Sequence, residues 1–374
     1  MSDTFDPSAS VSPAHQREAA PAHRAQFMDT DDKTMLRAAR EATKDLGMAK
    51  GRYYWPDMLL SAGTGYAGIA GAILAESAAL AVLSGVIASL ALYRALMFNH
   101  ELTHIHRDAL PGFRLVWNTL VGVPLLTPSF MYEGVHTLHH KRTQYGTIED
   151  PEYLPLALMK PWSLPLFVIA ALLAPIALIL RFAVLVPLSA IIPPLRTLLW
   201  QRASSLAINP DFRRKPATGA VRTLMLWQES AGFLWAWAVL ASTQLIGWRP
   251  LLIALAIVSV TALLNQLRTL VAHLWENEGD PMTVTAQFLD SVNVPPPGPI
   301  AEIWAPVGLR YHALHHLMPS MPYHDLPEAH RRLRSELGQG STYEGANHAG
   351  MFVLVSRIAK STMIARDNSV QSVK

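Results

Sequence analysis

Four long runs of uncharged, apolar residues constrain this chain more than anything else in it. Met58–Ala75 and Ser77–Tyr93 are separated only by Glu76, and Ser230–Trp248 and Pro250–Leu267 only by Arg249. Each run comes close to the roughly 20 residues an α-helix needs to cross a bilayer. Inside lipid a chain must satisfy its own backbone polar groups, so the runs predict two helical hairpins and exclude open sheets. Composition agrees: 51% of the 374 residues are hydrophobic and 16% charged. A net charge of +3, without a basic stripe interleaved with aromatics, excludes nucleic acid as a partner.

The segment from Pro161 to Leu195 is apolar but carries Arg181 and the prolines Pro165, Pro175, Pro187, Pro193 and Pro194. An even number of crossings there, or a helix dipping into one leaflet, keeps the flanking polar regions on one side. Arg196, Arg202, Arg213, Arg214, Lys215 and Arg222 crowd the next loop and place it in the cytoplasm. Leu110–Tyr132, apolar with Pro111, Pro124 and Pro128, reads as lying in the interface. The expected fold is therefore all-α and multi-pass. It has about four transmembrane helices and one embedded or interfacial segment, capped by a cytosolic helical region. Residues 1–52 read as a flexible cytosolic tail with a short helix near Lys33–Leu46, residues 53–336 as the membrane domain, and residues 337–374 as a closing tail. With no cysteine, the chain has neither disulfides nor thiolate-held iron–sulfur clusters.

Eight of the 15 histidines fall in three boxes beside these apolar runs: His100 and His104; His136, His139 and His140; His312, His315 and His316. Spacings of three and four residues stack side chains on one face of a helix. Each box can thus aim two or three imidazoles at one point, and imidazole suits iron, zinc, copper and nickel. Eight exceed the needs of a single ion, so the pattern predicts two metals. A lone helical histidine pair is more often surface decoration than ligand; three boxes together are not. His106 points to another helix face, and His324 and His330 lie in a loop and amphipathic helix. Asp150 and Asp290 can orient ligand imidazoles, although a solvated loop carboxylate is the default reading of each. Trp235 and Trp237 read as an aromatic belt or packing.

The order of apolar hairpin, two boxes, apolar hairpin, third box resembles the integral-membrane fatty acid desaturases and their hydroxylase relatives. The resemblance covers about residues 53–335. It includes Glu149-Asp150-Pro151 after the second box, and His316-Leu317-Met318-Pro319 and Met321-Pro322-Tyr323-His324 after the third. It implies two non-haem irons on the cytosolic side of a four-span fold, with dioxygen as co-substrate. It also adds one histidine just past the last span, His273. Some relatives carry an asparagine one turn before that histidine, where this chain has Thr269 with Asn265 and Asn277 nearby; no water-mediated ligand is assigned. The expected ligand set is His100, His104, His136, His139, His140, His273, His312, His315 and His316. No catalytic residue is expected beyond these, and the substrate-binding residues are not legible.

The expected activity introduces a double bond into a fatty acyl chain, with lipid or acyl hydroxylation as the alternative. Cutting an unactivated C–H bond needs a redox-active metal, which excludes zinc for that chemistry. The histidine-rich set also differs from the Glu-x-x-His sites of soluble di-iron bundles. No flavin fingerprint or fused cytochrome is present. Electrons are therefore expected from a separate carrier such as ferredoxin, rubredoxin or cytochrome b5, docking near Arg331, Arg332 and Arg334 on the cytoplasmic face. Two remote readings compete. His100-Glu101-Leu102-Thr103-His104 matches the HExxH of a membrane zinc protease, but leaves six box histidines unused. A metal transporter would place its ligands within the spans rather than at their ends.

Overall fold

In the computed structural model, residues 31–364 are described, except 155, 157–159, 161, 278, 298 and 299. A short helix, α1 (Lys33–Ala42), is capped by Asp32, whose side chain accepts from the Thr34 and Met35 amides. The first hairpin is α2 (Gly51–Leu74) and α3 (Ala78–His104), of 24 and 27 residues. At 1.5 Å per residue these reach about 36 and 40 Å, enough to cross a hydrocarbon core. Small residues let the two helices approach closely. A Cβ on Gly68 would lie 2.9 Å from the Ala88 Cβ, and one on Gly65 would lie 2.5 Å from Leu92.

After α3 the chain makes short helical turns through α4 (Phe113–Trp117), a π turn (Asn118–Gly122) and a 3-10 turn (Ser129–Met131) before α5 (His136–His139). The proline-bearing segment forms α6, a 29-residue helical run over Ser163–Ile191. It contains a 3-10 turn at Ala171–Leu173 and a π turn at Arg181–Leu185. Helix α7 (Pro193–Ala203) follows. The Leu206 amide then donates to Met131 O and the Ile208 amide to Pro151 O, at 2.8 and 2.9 Å. The segment thus returns to the end of the molecule that carries α5.

The second hairpin is α8 (Gly219–Ile246) and α9 (Arg249–Leu270). Arg249 Nη1 donates to Ile73 O at 2.9 Å, so the tips of the two hairpins meet. Among the described residues, four helices are long and apolar enough to cross a membrane: α2, α3, α6 and α9. The number matches the sequence expectation; α6 is among them by length and composition, while the Ser230–Trp248 run lies in a helix that reaches the tip meeting the first hairpin. That run lies in α8, whose first half carries Arg222, Gln228 and Glu229. Glu229 accepts from Arg181 at 2.9 Å and Arg196 at 2.5 Å, so the ion-paired carboxylate ties α8 to α6 and α7.

The cap is built from α10 (Val284–Asp290), α11 (Ile300–Trp304), α12 (His312–Leu317) and α13 (Leu326–Leu337). There is no β-strand among the described residues, only isolated bridges such as His273 to Ser291. Met35 and Ala39 of α1 pack with Phe288, Leu314, Leu333 and Tyr343 in one core. Past Leu337, where the sequence reads as tail, Tyr343 and Ala346 are fully buried in that core. Helix α14 (Met351–Ala359) sets Leu354 and Ile358 into the core of the spans. Residues 1–30 and 365–374 lie outside the described residues.

Candidate metal centre

The nine histidines singled out from the sequence converge. His100 and His104 stand at the end of α3, and His136, His139 and His140 on and just after α5. His273 stands just past α9, and His312, His315 and His316 on α12. They form two groups in which the ligand atoms lie within 4.8 Å of one another. One holds His100, His104, His136, His140 and His315; the other holds His139, His273, His312 and His316. Each group draws on both the second and the third box. The cause is helical: residues four apart share a face, while the intervening histidine points to the other side.

The ring nitrogens face each other. His136 Nε2 lies 2.9 Å from His140 Nε2, which lies 3.1 Å from His315 Nε2; His312 Nε2 lies 3.2 Å from both His273 and His316. Ligands at about 2.1 Å from a common ion, at right angles to one another, stand about 3.0 Å apart. Both ring nitrogens of His100, and Nε2 of His104, are buried without a hydrogen-bond partner among the described residues. Buried polar atoms without partners are costly, and lone pairs pointed at each other repel. This donor set fits two bound cations with nitrogen ligands.

The outer nitrogens are held by acceptors that fix the ring tautomers. Asp150 lies 2.9 Å from His139 Nδ1, and Glu152 2.8 Å from His136 Nδ1. Tyr132 OH donates to Glu152 at 2.8 Å. Tyr145 OH lies 2.8 Å from His273 Nδ1 and donates to Asp290 at the same distance. A ring N–H donated outward leaves Nε2 as a lone pair directed inward. The solvated-loop reading of Asp150 and Asp290 is thereby corrected: they are 0% and 4% exposed. Asp150 is positioned by the amides of Gly146 and Glu152, both at 2.8 Å. His312 differs: its Nδ1 stands 2.9 Å from Nη2 of Arg268, a donor, so no outer acceptor fixes the tautomer of this ring.

Burial, then the neighbouring imidazoles, hold His140 and His316 well below the usual histidine range, which keeps both neutral. Burial also pulls His139 down, but the carboxylates of Asp150, Glu152 and Asp290 together make the net shift upward. Burial raises Asp290 to about 6, against the hydrogen bond from Tyr145.

Glu152, Tyr132, Tyr145 and Arg268 were not foreseen from the sequence. Glu101, the would-be general base of HExxH, turns away from the histidines. It accepts from Tyr54 OH on α2 and from the Tyr323 amide, which leaves the protease reading without its base. Asn277 is engaged by Gly146 O and Asp280 O. His106 is exposed beside Asp108, His324 pairs with Asp325, and His330 bonds Tyr343, so none joins either group. Trp235 and Trp237 are partly exposed and donate to Pro124 O and Ala183 O.

A cavity of about 750 Å³ opens between α3, α6 and α9 and reaches His100. Leu96, Phe167, Ala171, Leu178 and Val258 are among its apolar lining residues. Its size and lining suit an alkyl chain.

A family model described as fatty acid desaturase matches residues 77–346. The chain is 50% identical over 323 residues to a ceramide hydroxylase of Caulobacter vibrioides (strain NA1000 / CB15N), covering 86% of this chain and 92% of that protein. No solved structure gives a significant match.

Proposed function

The chain belongs to the fatty acid desaturase family, and from that premise we propose that it is a membrane di-iron oxygenase that hydroxylates ceramide-type lipids. It is an oxidoreductase with an embedded helical body. The observation that carries the reading is the apolar cavity ending on His100, one of the five-histidine group. The likeness to a ceramide hydroxylase favours insertion of oxygen over the desaturation expected from the boxes alone. Both outcomes begin with the same C–H abstraction, so the boxes do not distinguish them.

In this reading the nine histidines hold two irons. When bound, these supply the redox chemistry with dioxygen and two electrons that an unactivated C–H bond requires. The protein contributes position. Asp150, Glu152 and the Tyr145–Asp290 pair fix ring orientation from outside. Leu96, Phe167 and Val258 sheath the chain and exclude water. An alkyl chain seated in the cavity would bring a carbon to His100, and the basic loop favours an orientation in which the centre faces the cytoplasm.

Electrons come from a separate carrier. The arginines expected to steer it are neutralised: Arg331 and Arg332 pair with Glu328, Arg332 also with Asp45, and Arg334 with Glu344. The docking site is therefore not assigned to them.

Mass spectrometry of lipids from cells expressing the chain, beside a His139→Ala control, tests the proposal. A ceramide that gains one oxygen supports it. An acyl chain that loses two hydrogens restores desaturation.

A further inference from the structure

Most polar side chains in the cavity wall already have partners. Tyr132 and Glu152 bond His136, Arg268 bonds His312, and Gln266 donates to Phe167 O. Besides His100, Asn99 and Thr127 do not; both line the cavity and are 5% and 9% exposed. The Asn99 carboxamide oxygen and the Thr127 hydroxyl are buried with no hydrogen-bond partner among the described residues.

Their placement is specific. Asn99 precedes His100 on α3, so it stands at the metal end of the cavity. Thr127 follows Leu126, whose φ of 56° lies in the left-handed region that leucine rarely adopts. The turn is locked by the Thr127 amide donating to Gly122 O at 2.7 Å. A Cβ on Gly122 would come 2.7 Å from Trp117, so no bulkier residue can relax it. Backbone held in such a conformation commonly marks a site of function.

A hydrocarbon chain offers these two oxygens nothing, and packing one against them would leave both unpaired. A lipid with an amide N–H and a hydroxyl near its reacting carbon would satisfy both. We propose that Asn99 and Thr127 are specificity-determining residues that receive the amide N–H and a hydroxyl of an N-acyl amino-alcohol lipid, fixing which carbon meets the metal centre. The inference rests on the ceramide reading and adds how the lipid is told from a plain acyl chain. Sites that hydrogen-bond a substrate donor discriminate strongly against the analogue without it.

The test uses purified, iron-loaded protein in nanodiscs and titration calorimetry. The ligands are a short-chain ceramide, its N-methyl and O-methyl counterparts, and a plain fatty acid. Wild type should bind the parent ceramide about 10-fold or more tighter than either methylated form. Asn99→Leu should lose the preference over the N-methyl lipid, and Thr127→Val the preference over the O-methyl lipid. Thr127→Ser, which keeps the hydroxyl, should retain it. Iron content is measured for every variant; should Asn99→Leu lose iron, the Thr127 pair decides. Preferences that persist in Asn99→Leu and Thr127→Val overturn this proposal and leave the ceramide reading standing. Wild type that binds the fatty acid and no ceramide overturns both.

Discussion

Asp150 Oδ2 stands 2.9 Å from Nδ1 of His139, a residue 11 positions earlier in the chain, and both side chains are buried. The carboxylate accepts the ring N–H, turns Nε2 inward and favours positive charge close by. Asp150→Asn should leave the fold intact and lower iron affinity about 10- to 100-fold, as loss of such support does elsewhere. Chelator competition on purified protein measures this. Unchanged affinity would return Asp150 to a purely structural role.

Metal content follows from the two histidine groups. Purified wild type should carry two irons per chain, one for each group. His104→Ala and His316→Ala strike different groups, and each should cut iron content by at least half. His106→Ala should change nothing, since that ring is exposed and outside both groups. One zinc per chain, lost with His104→Ala and kept with His316→Ala, would revive the protease reading.

A histidine remote from the metal groups makes stability depend on pH. Burial, then the nearby Arg334, lowers His330 to about 4 against an ordinary 6.5, with Glu344 opposing. Between those values the unfolded chain binds a proton that the folded chain refuses. Stability from this group is therefore present above about pH 6.5 and is lost as pH falls towards 4. Allowing for partial solvent screening, the contribution is about 1–3 kcal/mol. Melting curves should show a shallower acid slope for His330→Gln than for wild type; identical slopes would refute it.

The close approach of α2 and α3 depends on Gly68, where even a Cβ meets Ala88 at 2.9 Å. Gly68→Leu should lower stability by about 1–3 kcal/mol or more through overpacking. Denaturant titration in detergent reports it, with Gly63→Leu, where nothing lies within 4 Å, as the tolerant control.

The orientation of the membrane body has a direct chemical test, because the chain has no native cysteine. Cysteines at Asp211 and Thr218, both exposed in the basic loop, should resist an impermeant thiol reagent in intact cells. A cysteine at Glu76, on the hairpin tip, should react. The reverse pattern would place the metal centre outside the cytoplasm.

Eight of the nine converging histidines were legible because helix spacing and charge-bounded apolar runs are local signals. His273 needed the family resemblance, since a single histidine past a span has no pattern of its own. The outer residues were hidden for a physical reason. Tyr145 reaches His273 across 128 residues and Asp290 across 145, and no local periodicity records such pairings. Asp150 had a weak local cue in its place after the second box, but burial decides its role and short-range sequence does not encode burial. The proline-bearing segment was hard to read because α6 passes through 3-10 and π turns at Ala171–Leu173 and Arg181–Leu185.

The sharing of the second and third boxes between the two groups governs how the protein is made. A nascent chain halted before residue 312 already holds His100, His104, His136, His139, His140 and His273, yet neither group is complete. By then one group lacks only His315, while the other still lacks His312 and His316. Assembly of the centre waits until α12 has been added and folded against α5. The last ligands of both groups thus come from one six-residue helix, the final ligand-bearing element to leave the ribosome.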